Sequence, residues 1–298
     1  MVDYSFACIR RLDPVAYPTF NPPTREAGMC RMLGVMCNDA DLLSCAIEEV
    51  NESLKLTDHQ GHHGLGLGYY SEDDPLLKRQ PSNQQEDIDY SKLVSGIESN
   101  TLLVHVRRAT VGAWKNKNTH PFRFRRWLFA HVGHLPMIQP KQEEILASLP
   151  PFLVRNVVGE TDSELAFHLF LNNLYTDGTL NDLTLDTELL SKYLREFSKT
   201  IDELHSTSRE KPTYAIIVTN GQTMGAICSQ EPMHYSHREG IHSCPSGDES
   251  EQSQRNRAGF KGIMLGARMS KPGHQWREVA DRTLITISHD MEFKVQQI

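Results

Sequence analysis

A helical stripe flanked on both sides by short apolar strands constrains this chain most. From Asp186 to Ser206, Leu189, Leu190, Tyr193, Leu194, Phe197, Ile201 and Leu204 recur at helical spacing, so this segment is an amphipathic helix with one face to bury. Before it lie strand-like runs at 102–107 and 127–131. After it come Tyr214–Thr219, Thr223–Cys228, Lys261–Leu265, Thr283–Ser288 and Phe293–Gln296. Strands clustered around long helices, rather than alternating with them, predict a layered α+β domain. A second helix is expected over Asp39–Leu56, capped by Asn38 or Asp39, and a third opens at Thr161, where Thr161 and Glu164 have capping-box spacing. The alternating glycines of Gly64-Leu65-Gly66-Leu67-Gly68 suggest a strand that other backbone approaches closely.

Other segments read differently. Residues 1–28 carry prolines at 14, 18, 22 and 23 without any period, and are expected to be an appended tail, disordered or removed. The domain is expected over 29–298, opening abruptly at Met29-Cys30-Arg31-Met32-Leu33-Gly34. Residues 72–90 are polar and acidic and read as an exposed loop, and 229–258 as a mobile polar insertion.

Composition removes several function classes. With 31 basic and 38 acidic residues the net charge is −7, which argues against sequence-independent binding to nucleic acid. Apolar runs are too short to cross a bilayer, and residues 1–11 lack the apolar stretch of a secretory signal. Six cysteines without a C-x-x-C pair form no disulfide framework, so a cytoplasmic protein is expected. His59, His62 and His63, and separately His234, His237, His242 and Cys244, have chemically adequate metal donors, but their spacing matches no defined finger. They are read as solvated loop residues, with no metal. No Gly-rich phosphate loop is present, and no cofactor is expected.

Five local motifs occur in order: Met29-Cys30; His105-Val106-Arg107-Arg108-Ala109-Thr110; Asn118-Thr119-His120-Pro121-Phe122; His131-Val132-Gly133; and Thr161-Asp162-Ser163-Glu164. Together they resemble the class II glutamine amidotransferases, which are N-terminal-nucleophile hydrolases. They look most like the stand-alone branch that includes the γ-glutamyl hydrolase of ergothioneine biosynthesis and the amidotransferase-like subunit of fungal glutathione degradation. The resemblance implies a four-layer αββα sandwich of two mostly antiparallel sheets. It implies a glutaminase-type hydrolase acting on a small-molecule γ-glutamyl substrate. Cys30 matches the nucleophile, whose own α-amine is the base once it is the first residue. Arg107, with Thr110 beside it, matches the group that holds the substrate α-carboxylate, and planar two-donor geometry suits that task. Asp162 matches the partner of the α-ammonium. His120 is placed at the pocket, as contact or as wall, and Gly133 matches the backbone donor to the oxyanion.

The chain departs from that pattern twice. The family's His-Asn-Gly is His131-Val132-Gly133 here, and valine lacks the side-chain donor that asparagine supplies. Residues 1–28 would also leave the Cys30 nitrogen as an amide, so a start at Met29 or removal of the tail is expected for an active enzyme. These departures motivate a second reading, a catalytically degenerate binding or regulatory subunit. A partner subunit is left open. The stretch from Tyr175 to Ile298 is too short for an ammonia-accepting synthase and is expected to complete the same sheets.

Overall fold

The computed structural model describes residues 30–51, 62–84, 89–107, 115–242, 244, 250–269 and 272–298. The expected tail, His59 and Thr110 lie outside the described residues. So do Arg108 and most of the far half of the expected 39–56 helix.

Thirteen strands follow in chain order among the described residues. They are β1 (Arg31–Cys37), β2 (His62–Ser71), β3 (Asp74–Gln84), β4 (Thr101–Arg107), β5 (Phe122–Phe124), β6 (Trp127–His134) and β7 (Thr213–Thr219). Then come β8 (Thr223–Ser229), β9 (Met233–Glu239), β10 (Lys261–Ala267), β11 (Arg277–Glu278), β12 (Thr283–Ser288) and β13 (Phe293–Gln297). They form a seven-stranded sheet, β11-β9-β10-β1-β4-β2-β3, and a six-stranded sheet, β13-β12-β8-β7-β6-β5. Every strand pair is antiparallel.

Alternation along each strand sorts side chains between layers. In β1, Met32 and Met36 enter the core between the sheets with Leu128, Ala130, Val132, Ile217 and Met224. Leu33, Val35 and Cys37 point the other way, toward the short helices α1 (Leu43–Glu48) and α2 (Tyr90–Val94). The second sheet buries Phe129, Ile216 and Val218 with the helices that cover it. After the short α3 (Gln142–Ser148) and α4 (Pro151–Val154), these are mainly α5 (Asp162–Thr176) and α6 (Thr187–Leu204). The result is helix, sheet, sheet, helix, the αββα order that the motifs imply.

The α6 stripe lies where its period puts it, with Leu190, Tyr193, Leu194, Phe197 and Ile201 buried and Asp186 capping the Leu189 N–H at 2.8 Å. Each of those side chains contributes about 1.5–3 kcal/mol by leaving water. Thr161 caps α5, accepting from the Glu164 N–H at 3.2 Å. The Glu164 carboxylate does not complete a capping box, because it accepts instead from the N–H groups of Val158 (3.0 Å) and Gly159 (2.6 Å).

Three segments and one cysteine pair differ from expectation. Helix α1 is only six residues long, and neither expected cap serves it. Asn38 is drawn to β10 instead, accepting from Lys261 N at 2.8 Å and donating to Gly259 O at 3.0 Å. Asp39 closes a local turn on Asp41 N at 3.1 Å. Residues read as an exposed loop include β3, which pairs with β2 alone at the sheet edge. An edge strand tolerates prolines and polar side chains, so its composition hides it. The segment 229–258, read as a mobile insertion, holds β9, which lies between β10 and β11, and helix α7 (Glu251–Gly259). Met233 of β9 is buried between the sheets while His237 is exposed, so the strand loses its apolar period toward one end. Among the described residues one disulfide, Cys45–Cys244, joins α1 to the stretch before α7, whereas Cys30, Cys37 and Cys228 remain thiols. The two bonded cysteines are 199 residues apart, a separation that carries no spacing signal.

The glycine alternation in β2 has the meaning expected of it. A Cβ on Gly66 would stand 1.9 Å from the His120 carbonyl oxygen, which is backbone and cannot swing aside. Gly66→Ala is therefore expected to cost at least about 3 kcal/mol, at or beyond the usual overpacking range, read as a lower urea midpoint. A midpoint within error of the parent would contradict that close approach.

Candidate active site

The site assembles at the end of the sandwich where β1 begins. Arg31 pairs with Val106, so one step further the register sets Cys30 opposite Arg107, the last residue of β4. Both lie on the face toward the other sheet: Cys30 packs, half-buried, against the inter-sheet core, and Arg107 shares its facing with Leu103. Burial pulls the Arg107 guanidinium below its ordinary value, and the Cys30 charge is the influence that opposes this. The first and second motifs thus meet through a strand pair.

His105, two residues before Arg107, is fully buried and stitches the sheets together. Its Nε2 donates to the His131 carbonyl of β6 at 3.2 Å. His120 lies against it with ring centroids 4.2 Å apart and the planes tilted by 36°, and its centroid is 4.5 Å from that of Phe122. Neither ring nitrogen of His120 has a hydrogen-bond partner. Burial, then His105, His131, Arg107 and Arg79, hold His120 well below the ordinary histidine value. His105 is pushed down to about 3, chiefly by burial.

The other wall comes from β6 and the start of α5. His131 Nδ1 is 2.8 Å from Ser163 Oγ. Asp162 is buried, with Oδ1 accepting from Ser163 N at 2.8 Å and Oδ2 from Leu135 N at 3.2 Å. Burial lowers His131, opposed by the nearby Asp162 and Glu231 charges. Gly133 lies two residues beyond His131 with φ +137°, and a Cβ there would meet the Thr213 carbonyl oxygen at 2.1 Å. Only glycine fits this conformation and this space. Val132 is buried among Met32, Ala130 and Ala215 between the sheets, so the position of the family's asparagine is filled with hydrocarbon.

Arg79 was not singled out in the sequence, since β3 reads as loop there. Its guanidinium donates to the Thr119 carbonyl at 3.2 Å, tying β3 to the turn that carries His120. His131 and Ser163 stood within quoted motifs without an assigned task. The structure places His131 between the two walls through its carbonyl and its ring. His234 and His237, read from the sequence as solvated loop residues, instead belong to β9, three apart and projecting to opposite faces of the sheet. Among the described residues no group of three or more metal-ligating side chains comes together.

Five buried histidines among the described residues, His105, His120, His131, His168 and His205, all have folded-state values below 6.5. For such groups the unfolded chain binds more protons, so stability is full above about 6.5 and is lost as pH falls. Each histidine removes up to about 1.4 kcal/mol per pH unit between its unfolded and its folded value. Urea midpoints are expected to fall as pH drops below about 6.5, with His105 still contributing down to about 3. A flat profile across that range would show that these rings are protonated in the folded protein.

Residues 29–245, more than half of the chain, match the family described as glutamine amidotransferases class-II. The chain belongs to the class II glutamine amidotransferases. The probable glutamine amidotransferase DUG3 of Saccharomyces cerevisiae is 28% identical over 179 residues, which cover 54% of this chain and 49% of the yeast protein. A putative glutamine amidotransferase of Haemophilus influenzae is 26% identical over 213 residues, covering 70% of this chain and 65% of that one. The matches thus span about half to two thirds of the length of these curated relatives. Among solved structures, a glutamine aminotransferase class-II domain protein from Silicibacter pomeroyi superposes with TM-score 0.56 at 16% identity, covering 90% of this chain and 99% of that one. At that identity the likeness concerns the fold alone, and the fold is that of this class II amidotransferase family. No helix among the described residues is long and apolar enough to cross a membrane.

Proposed function

We propose that this class II amidotransferase-family protein hydrolyses a γ-glutamyl amide, glutamine or a γ-glutamyl peptide, through a thioester on Cys30. The observation that carries the reading is the β1–β4 register, which one step beyond the Arg31–Val106 pair sets Cys30 opposite Arg107, close enough for the Cys30 charge to act on the guanidinium. In this scheme Arg107 holds the substrate α-carboxylate in a two-donor grip and Asp162 receives the α-ammonium. The Cys30 thiolate attacks the side-chain carbonyl carbon, and the Gly133 N–H receives the developing oxyanion. The amine or ammonia departs with a proton delivered from the Cys30 α-ammonium. Water, deprotonated by the returned α-amine, then cleaves the thioester and releases glutamate. The scheme requires Cys30 to be the first residue, because an acylated nitrogen cannot take up that proton. It also requires the Cys30 thiol in its reduced form, as the structure has it.

The test is glutamate release from glutamine and γ-glutamyl peptides by protein whose intact mass shows Cys30 at its start. The same chain with one residue left before Cys30 should be silent. Equal release by both forms would overturn the role of the α-amine. One observation favours a second reading, a glutamate-binding subunit without turnover: Val132 occupies the asparagine position with no donor. Calorimetric binding of glutamate without any turnover by the Cys30-started protein would select it.

A further inference from the structure

The two hydrogen bonds around Gly133 end on the same turn of helix. His131, two residues before Gly133, reaches Ser163 through its ring at 2.8 Å, and Leu135, two residues after, donates to Asp162 Oδ2 at 3.2 Å. Asp162 and Ser163 are themselves joined, since Ser163 N and Ser163 Oγ approach Asp162 Oδ1 at 2.8 and 3.2 Å. With the Ser163 hydroxyl proton turned to Asp162 Oδ1, its oxygen accepts from His131, and the ring then carries its proton on Nδ1. His131 Nε2 has no hydrogen bond of sound geometry, although the Thr213 carbonyl is close enough to favour the charged ring.

We propose that Ser163 is a positioning residue for the amide cleavage proposed above, locking the Gly133 peptide and the Asp162 carboxylate together through His131. This rests on the hydrolase reading. A carboxylate offers about four lone-pair directions, and here three are filled by Ser163 N, Ser163 Oγ and Leu135 N. One direction is left for the substrate α-ammonium, fixed relative to the donor that meets the oxyanion. Holding the substrate's amine and stabilising its reacting oxygen are therefore one mechanical unit.

The experiment compares wild type, Ser163→Ala and Ser163→Thr on glutamine and on glutaramate, which is glutamine without its α-amine. Ser163→Ala should raise KM for glutamine about tenfold, the scale of one hydrogen bond to a charged group, while leaving KM for glutaramate unchanged. It should lower kcat for both, and Ser163→Thr should restore most of each loss. Nitrogen-15 spectra of the histidine rings should show His131 protonated on Nδ1 in wild type, a signature lost in Ser163→Ala. Equal rises in KM for both substrates, unchanged kinetics, or an Nε2-protonated His131 in wild type would overturn the positioning role. Wild-type protein that cleaves neither substrate defeats the hydrolase reading and this role with it. Wild-type turnover that Ser163→Ala leaves intact defeats this role alone.

Discussion

Cys30→Ala is expected to abolish glutamate release, a fall of about 10⁶-fold, the size seen when a covalent hydrolase loses its nucleophile. The substitution removes one sulfur from a half-buried position at the edge of the inter-sheet core, so little packing is lost. Arg107 keeps its place on β4 and Asp162 its bonds from Leu135 and Ser163. Substrate affinity should consequently survive while turnover vanishes. Calorimetry with glutamine beside a glutamate-release assay reads both quantities in one preparation. Release that persists in the variant would mean that another group attacks the amide, and the thioester scheme would fall. Loss of binding together with turnover would instead assign the Cys30 sulfur to holding substrate.

The second large effect runs in the opposite direction. Val132→Asn should raise kcat on glutamine about 100-fold, because one oxyanion donor is typically worth a factor of about 100 to 1000. Val132 faces the inter-sheet core on the strand that carries Gly133. An amide introduced there is aimed at the side of the sheet where Cys30 lies. The gain should come with a loss of stability of about 1–3 kcal/mol, since a buried amide without a resting partner has been desolvated. Stopped assays at saturating glutamine and urea midpoints would show the two changes together. A variant that is destabilised but no faster would indicate that a different group already serves the oxyanion, or that the site does not turn over.

The legibility of this chain divides along physical lines. The α6 stripe is readable because Leu190, Leu194, Phe197 and Ile201 face one core and nothing competes with their period. The glycines of β2 are readable because a missing Cβ has only a few causes, and at Gly66 the cause is the His120 carbonyl. Strand β3 is hidden since an edge strand needs neither apolar alternation nor a full set of donors. Strand β9 is hidden because its buried Met233 and Ser236 are separated by partly exposed His234 and Tyr235. The caps of α1 fail for a tertiary reason, as Asn38 is more fully satisfied on β10 than at a six-residue helix. In the site, the motifs name Cys30, Arg107, His120, Gly133 and Asp162, and the fold brings Cys30 to Arg107 and Asp162 to the strand bearing Gly133. The link through Ser163 is not readable, because a serine in the first turn of a helix usually has only local work to do.

The strand that begins at Arg31 is flanked by β4 and by β10, and these neighbours reach the growing chain far apart in time. Between Arg107 and Lys261 lie about 150 residues, roughly ten to thirty seconds of ribosomal synthesis at ordinary rates. Throughout that interval β1 has a partner on one side only, and its other edge is open to any strand that offers itself. The residue proposed to perform the chemistry sits at the mouth of that open edge. Closure of the second edge of β1 is therefore among the last steps, after the β6–β8 hairpin series of the other sheet has emerged. Truncation anywhere before β10 should leave aggregation-prone chains rather than a weakly active fragment.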